Sequence, residues 1–317
     1  MTAPTATASP PTPVLSYSPV VLPVPGRPAA LHVRVTAPAT GTGLPIILLS
    51  HGHGGSHHLS SLNGYAPIAS LWAAAGFTVI QPTHLSSRTL SHQLADTPAA
   101  PFFWRSRAED MTHILDRLDE IENTVPQLAG RTDHAKIAVA GHSLGGHTAS
   151  LLLGARITDP GTSEEVNLAE PRIKAGVLLA APGRGGSTLN GWMADKVPFL
   201  HTTDFSTMTT PTLIVAGDKD DSQHFTDTGP SWHADPYHLA PAPKTLLTLS
   251  GAGHLLGGIS GYDAAETTDE NPDRVAALGH LTSAYLHTHF QPGNHAWQQA
   301  RQAHTTGTDP AARTESK

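Results

Sequence analysis

The sequence predicts an α/β fold: one domain with a mostly parallel central sheet, helices on both faces and a small cap. Three observations predict it. Apolar runs of strand length such as "LPIILLS" (44–50) alternate with helix-like stretches along the chain; a run apolar throughout is what a strand buried on both faces requires, and such strands belong to parallel sheets. Insertions at 85–104, 182–209 and 221–243 each follow the carboxyl end of a strand-like run, where ligands bind in open α/β sheets. Finally, "GHSLG" (141–145) lies between an apolar run and a helical pattern, which is the context of a catalytic strand-to-helix turn.

The elements follow in order. Residues 1–13 are mainly Pro, Thr and Ala, a composition that cannot offset ordering entropy, and are expected to form a disordered tail. "VLSYSPVVLPV" and "ALHVRVTAP", separated by "PGRP", alternate as an antiparallel edge pair does. After "LPIILLS", residues 61–76 have helical spacing and "FTVIQPTH" (77–84) reads as a strand. Met111, Ile114, Leu115, Leu118 and Ile121 mark one helix face within 105–129. "AKIAVAGHS" is a strand, "GGHTASLLLGAR" a helix, and "IKAGVLLAAPG", "PTLIVAGDKDD" and "KTLLTLSGAGH" are further strands. "PDRVAALGHLTSAYLHTHF" closes the domain as a helix with Pro272 in its first turn. The domain thus spans 14–290, and residues 291–317 read as a polar C-terminal tail.

Composition narrows the chemistry. Only 14% of the 317 residues are charged and the formal net charge is −7, so the basic footprint of a nucleic-acid binder is missing. No apolar run reaches the roughly 18 residues that span a bilayer, and no signal-peptide pattern opens the chain; a cytoplasmic location is the default expectation. With no cysteine, a nucleophile must be oxygen or nitrogen. Oligomeric state leaves no trace in the sequence.

The strongest signal is Gly141-His142-Ser143-Leu144-Gly145. Glycines two residues either side of the serine let a sharp turn close without steric collision, lifting the hydroxyl out of the sheet. The helix that follows aims its amino-terminal N–H groups at the reaction centre, and the Leu144 N–H is the first expected oxyanion donor. A serine needs a base to take its proton and an acid to orient that base, and on such a turn these follow in the order acid, histidine. "LIVAGDKDD" offers Asp218, Asp220 and Asp221 at a strand end, and "GAGH" places His254 after the next. Asp220 is preferred because G-x-x-D gives the chain a turn in which to swing back; Asp221 stays open, with Asp218 and Asp204 behind. Phe102, Phe103, Trp104 and Trp192 are candidate walls of a substrate pocket, with Met193 and Met208 in the second insertion and Trp232 in the third able to join them. Arg105 and Asp110 are expected to form a solvated or structural pair.

Together "HGHGG", "GHSLGG", "GDKD" and "GAGH" resemble the α/β-hydrolase superfamily over roughly residues 14–290. The stretch from "SHGHGGS" to "FTVIQPTH" is similar to the branch of platelet-activating-factor acetylhydrolase-like, chlorophyllase-like and polyester-hydrolase-like esterases. That resemblance implies an α/β-hydrolase fold, a serine carboxylic-ester hydrolase, no cofactor, a small-molecule ester as partner, and the His53 N–H as second oxyanion donor. A thioesterase, lactonase or acyltransferase with the same triad is the alternative, and a non-catalytic ligand-binding protein on this fold a more distant one. For the histidine-rich loop, a zinc site from His51, His53, His57 and His58 competes, but the spacing fits no H-E-x-x-H pattern. A dinucleotide reading of "GAGHLLGG" lacks a following βαβ unit.

Overall fold

The computed structural model describes residues 12–97, 99–306 and 310–317, so the expected tail lies outside them except for residues 12 and 13. The elements are β1 (Val14–Leu22), β2 (Leu31–Pro38), β3 (Leu44–Ser50), α1 (Ala66–Ala74), β4 (Thr78–Pro82), α2 (Ser91–Leu94), α3 (Trp104–Leu115), α4 (Leu118–Thr124), β5 (Thr132–His142), α5 (Leu144–Leu152), β6 (Arg156–Thr158), β7 (Glu165–Asn167), β8 (Ile173–Leu179), β9 (Thr212–Gly217), α6 (Asp235–Leu239), β10 (Lys244–Leu249), α7 (Pro272–Phe290), α8 (Ala296–Thr305) and β11 (Ala312–Ser316).

Nine strands form one sheet in the order β1-β2-β4-β3-β5-β8-β9-β10-β11. From β4 to β10 all neighbours are parallel, while β1, β2 and β11 pair antiparallel at the two edges. Strands β3 and β5 are neighbours, and the chain leaves β3 for β4 on one side but leaves β5 toward β8 on the other. Crossovers that part in this way open a crevice at the carboxyl ends of the two strands, here β3 and β5.

Side chains alternate across the strands and sort into two layers. Ile46 and Leu48 of β3, with Ile137 and Val139 of β5, pack under α3, α4 and α5 against Met111, Ile114, Ile121 and Leu152. Ile47, Leu49, Ala138 and Ala140 face the other way, against Ile68 and Trp72 of α1 and Leu278, Leu281 and Leu286 of α7. Trp72 is fully buried and its indole N–H donates to Thr282 Oγ1 at 2.8 Å, so its one polar atom is satisfied inside the layer. Over the carboxyl end of the sheet, Leu144, Leu189, Val197, Phe199 and Leu200 form a third, smaller cluster. Among the described residues, no helix is long and apolar enough to cross a membrane.

Several boundaries differ from the expected ones. Helix α1 begins at Ala66 rather than 61, because Tyr65 takes a left-handed φ of 65° and the serines before it bond backwards: Ser60 Oγ to Ser56 O at 2.9 Å and Ser61 Oγ to His57 O at 2.6 Å, the local competition that keeps serine out of helix interiors. The single helix expected over 105–129 is two, parted at Arg117, whose φ is −128°. Leu115, Leu118 and Ile121 still share one layer, so the apolar period runs through the break unaltered. The polar tail read at 291–317 is corrected. Its residues build α8 and β11, and β11 pairs with β10 from Thr245↔Ser316 to Leu249↔Ala312. A lone edge strand is open to unwanted pairing, and this short strand covers β10.

Candidate active site

Ser143 is the whole connection between β5 and α5, with φ 53° and ψ −122°. A non-glycine residue holds such a conformation only where its surroundings impose it. Those surroundings are close backbone: a Cβ on Gly141 would lie 1.9 Å from the Gly145 carbonyl oxygen, and one on Gly145 2.0 Å from the Ser50 carbonyl oxygen. Both glycines are therefore steric requirements of the turn.

The crevice brings the three foreseen residues together. Ser143 Oγ is 2.9 Å from His254 Nε2, and His254 Nδ1 is 2.7 Å from Asp220 Oδ2. Asp220 is 2% exposed, and Ser222 Oγ donates to its Oδ1 at 2.9 Å. Burial by itself would raise the Asp220 carboxyl, but the charges of His254 and His233 and their hydrogen bonds outweigh it and hold the group well below the ordinary carboxylate range. The acid is thus ionised and faces Nδ1 of the histidine. The other aspartates are placed elsewhere: Asp218 accepts the Gly251 N–H at 2.8 Å, Asp204 the Ser206 N–H at 2.8 Å, and Asp221 lines a separate, open cavity.

Ser143, Leu144, His53 and His254 share a cavity of about 270 Å³ with Phe102, Trp192, Met193 and Phe225. As the first residue of α5, Leu144 has an N–H without an intrahelical acceptor. His53 follows β3, and its main chain is steadied from behind: the buried Arg107 guanidinium donates to the His51 carbonyl, to Ser50 Oγ at 3.1 Å and to Thr148 Oγ1 at 2.9 Å. Burial, helped by the Arg107 charge, pushes the His53 ring down to about 4, so the ring is neutral at neutral pH.

Of the four expected pocket walls, Phe102 and Trp192 line this cavity. Phe103 instead packs with Leu85 and Leu94 and lines a neighbouring cavity of about 390 Å³ that touches the first at His53. Trp104 stacks on Phe199 at 6.4 Å, with Arg105 over its face at 5.0 Å. Arg105 and Asp110 do not pair: Arg105 binds Asp159 at 2.8 Å, and Asp110 binds Arg27 at 2.9 Å.

The loop histidines diverge. The ring Nδ1 of His51 lies 2.6 Å from the Gly52 carbonyl, while its Nε2 accepts the His84 N–H at 3.1 Å; His57 and His58 are exposed. Among the described residues the metal-type side chains that do converge are Asp220, His233 and His254, whose facing atoms are already engaged in the hydrogen bonds above. The "GAGH" turn is filled too: the Gly253 and Gly257 N–H groups donate to Asp269 Oδ2 at 2.8 and 2.9 Å, where a dinucleotide pyrophosphate would need them free.

Two residues behind the acid and base escaped the reading of the sequence. His233 places Nε2 at 3.1 Å from Asp220 Oδ2 and 3.0 Å from Ser222 Oγ, and its Nδ1 lies 2.7 Å from the Ala181 carbonyl. Asp269 fastens the glycine turn that carries His254. Neither sits in a motif, and no spacing marks them. No protein-family model matches the chain, and no curated protein matches it.

Proposed function

We propose that this protein is a serine esterase that hydrolyses carboxylic esters through an acyl-enzyme. The observation that carries the reading is the continuous relay from Ser143 Oγ to His254 Nε2 at 2.9 Å and from His254 Nδ1 to Asp220 Oδ2 at 2.7 Å, opening into an apolar cavity. His254 takes the Ser143 proton as Oγ attacks the ester carbonyl carbon. The oxyanion so formed is held by the Leu144 and His53 N–H groups. His254 then gives the proton to the departing alkoxide, leaving Ser143 acylated. Water then attacks the acyl carbon as His254 takes one of its protons; His254 passes that proton to Ser143 Oγ as the acyl C–Oγ bond breaks, the carboxylic acid leaves and the serine is restored. No cofactor takes part in these steps.

The test is a nitrophenyl butyrate assay combined with a fluorescent alkyl phosphonate and mass mapping of the label. Hydrolysis with stoichiometric labelling of Ser143 is the expected result. A protein inert to both would overturn the reading. Competition by hydroxylamine or simple alcohols then reports whether the acyl group goes to water or to another acceptor.

A further inference from the structure

We infer that Tyr65 and His142 form a positioning hub that joins the oxyanion loop, the serine turn and the His254 loop, and that the rate of the chemical step depends on it. The inference rests on the esterase reading above. Its basis is a chain of three hydrogen bonds in which every proton can be placed. His142 Nε2 lies 2.8 Å from the His254 carbonyl oxygen; a carbonyl only accepts, so Nε2 carries the hydrogen. Burial, followed by the charge of His254, pushes the His142 ring down to about 3, so the ring is neutral and its Nδ1 is an acceptor. The Tyr65 hydroxyl, 2.9 Å from Nδ1, must therefore donate to it. Its oxygen in turn accepts the Gly52 N–H at 2.8 Å.

The geometry shows how tightly the hub is built. Tyr65 is fully buried and held at a left-handed φ of 65°, a strained position for an aromatic residue, with its own N–H on the Ser260 carbonyl at 2.8 Å. A Cβ on Gly52 would come within 3.0 Å of the Tyr65 hydroxyl and 3.2 Å of His142 Nδ1, so a side chain there would press on both members of the hub. The His142 and His254 rings lie 5.0 Å apart. The peptide between His51 and Gly52, one residue before the His53 N–H, is thus pinned at both ends, by Arg107 on the His51 carbonyl and by Tyr65 on the Gly52 N–H. The same hydroxyl, through His142, pins the main chain of the base. Donor and base are set relative to each other by one oxygen atom.

The experiment uses the full chain, with nitrophenyl butyrate kinetics and the inhibition constant of an alkyl boronic acid, which forms a tetrahedral adduct on the serine. Tyr65→Phe keeps the ring and removes the hub. Its kcat is expected to fall about 10- to 100-fold, with boronate affinity falling in parallel and KM staying within about threefold, because only the tetrahedral state uses the aligned donors. His142→Gln retains a donor close to the Nε2 position, whereas His142→Leu fills the same space without one; the Gln variant should be about tenfold more active. A packing role alone would favour Leu or make the two equal. The inference is overturned if Tyr65→Phe leaves kcat and boronate affinity within about threefold of the parent, or if His142→Leu matches His142→Gln. A parent protein that hydrolyses no ester and takes no phosphonate would overturn the esterase reading and this inference with it.

Discussion

Two serine–histidine–aspartate constellations lie in this domain with nearly the same internal geometry. In one, Ser143 Oγ, His254 and Asp220 are linked at 2.9 and 2.7 Å. In the other, Ser50 Oγ is 3.0 Å from His84 Nε2, and His84 Nδ1 is 2.8 Å from Asp110 Oδ2. The distances do not separate them; the surroundings do. Ser50 ends strand β3 with no exposure, and Arg107 donates to its oxygen at 3.1 Å, occupying a lone pair that a nucleophile needs. Burial, then the charges of Arg107 and Arg27, push His84 well below its ordinary range, which makes it a poor base. Burial raises Asp110 to about 6 against the pull of Arg27. At the other constellation the serine stands on a strained turn beside free helix N–H groups and a cavity. Access to a cavity, a serine oxygen that no guanidinium occupies and helix N–H groups beside it set the Ser143 constellation apart from the buried one; these are what the proposed chemistry needs.

The largest expected effect breaks the pair at the serines. Ser143→Ala should lower turnover by about 10⁶ and abolish phosphonate labelling while leaving the fold intact. Ser50→Ala should keep the label on Ser143. It removes the partner of His84 Nε2 and of one Arg107 N–H, at a cost of about 1–3 kcal/mol in stability. Turnover, labelling and urea unfolding of the two variants decide the matter. Labelling that survives Ser143→Ala and vanishes in Ser50→Ala would invert the comparison.

The aspartates should differ in the same sense. Asp220→Asn is expected to cost about 10⁴ in kcat by spoiling the tautomer and orientation of His254. Asp110→Asn leaves Arg27 without its buried counter-charge and should cost about 3–5 kcal/mol of stability, with kcat per folded molecule changed far less. Active-site titration with the phosphonate supplies the folded fraction.

The contrast also shows what a sequence carries. Ser143, Asp220 and His254 were legible because each lies at or within a short loop after the end of a strand, in the order that such a serine turn demands, and the glycines around the serine have a steric reason to be there. Ser50, His84 and Asp110 have no motif, although the fold brings them to the same spacing. His233 and Tyr65 act through bonds that depend on how loops from distant parts of the chain settle. The aromatic stretch Phe102-Phe103-Trp104 shows the limit well. All three looked like pocket walls, yet the αL turn at Phe103 (φ 48°) sends neighbouring side chains into different clusters. Helix α8 and strand β11 were hidden for a related reason: few of their residues are buried, Ala300 and Ala312 among them, so no apolar period announces them.

Acid should expose the histidines that the structure keeps neutral. His51 and His84 lie well below their ordinary value of 6.5, His53 is at about 4, and His142 and His147 are at about 3, each chiefly through burial. The unfolded chain protonates all five near pH 6.5 while the folded one does not. The unfolded state therefore binds more protons, and stability present at pH 7 is lost as the pH falls. Each ring contributes a slope of up to about 1.4 kcal/mol per pH unit below its unfolded pKa. Asp220, held low, adds a loss in the same direction below the carboxylate range, and Asp110, held high, opposes it. Thermal midpoints recorded from pH 8 to 4.5 should drop steeply below about pH 6. A flat profile down to pH 5 would mean that these rings accept protons in the folded state, and the buried constellation would be wetter than the structure has it.

The smallest effect concerns the mouth of the cavity beside Ser143, a feature the buried constellation lacks. At about 270 Å³, the cavity is below the range of about 300–1,000 Å³ common for sites that enclose a drug-sized ligand, so short acyl groups should fill it. Trp192 is 72% exposed at its rim and offers an apolar face only to the part of a substrate that reaches past the enclosed space. A methylene gains about 0.8 kcal/mol where it finds such a wall and nothing beyond it. Trp192→Ala should therefore leave acetyl ester kinetics near those of the parent and raise KM for hexanoyl ester by about three- to tenfold, with kcat unchanged. The segment that brings Trp192, Met193, Val197 and Leu200 to the cavity is built of short 3₁₀ turns at Gly186–Thr188, Ala194–Lys196 and Pro198–Leu200, and none is a long amphipathic helix that an oil–water interface could lift. Activity should follow dissolved monomeric ester, with no rise where micelles form. Nitrophenyl esters from acetyl to palmitoyl, measured below and above the critical micelle concentration, test both points. A maximum at long chains or a jump at micelle formation would mean that the rim opens into a larger site, and equal loss on acetyl and hexanoyl esters would mean that Trp192 supports the cavity instead of the substrate.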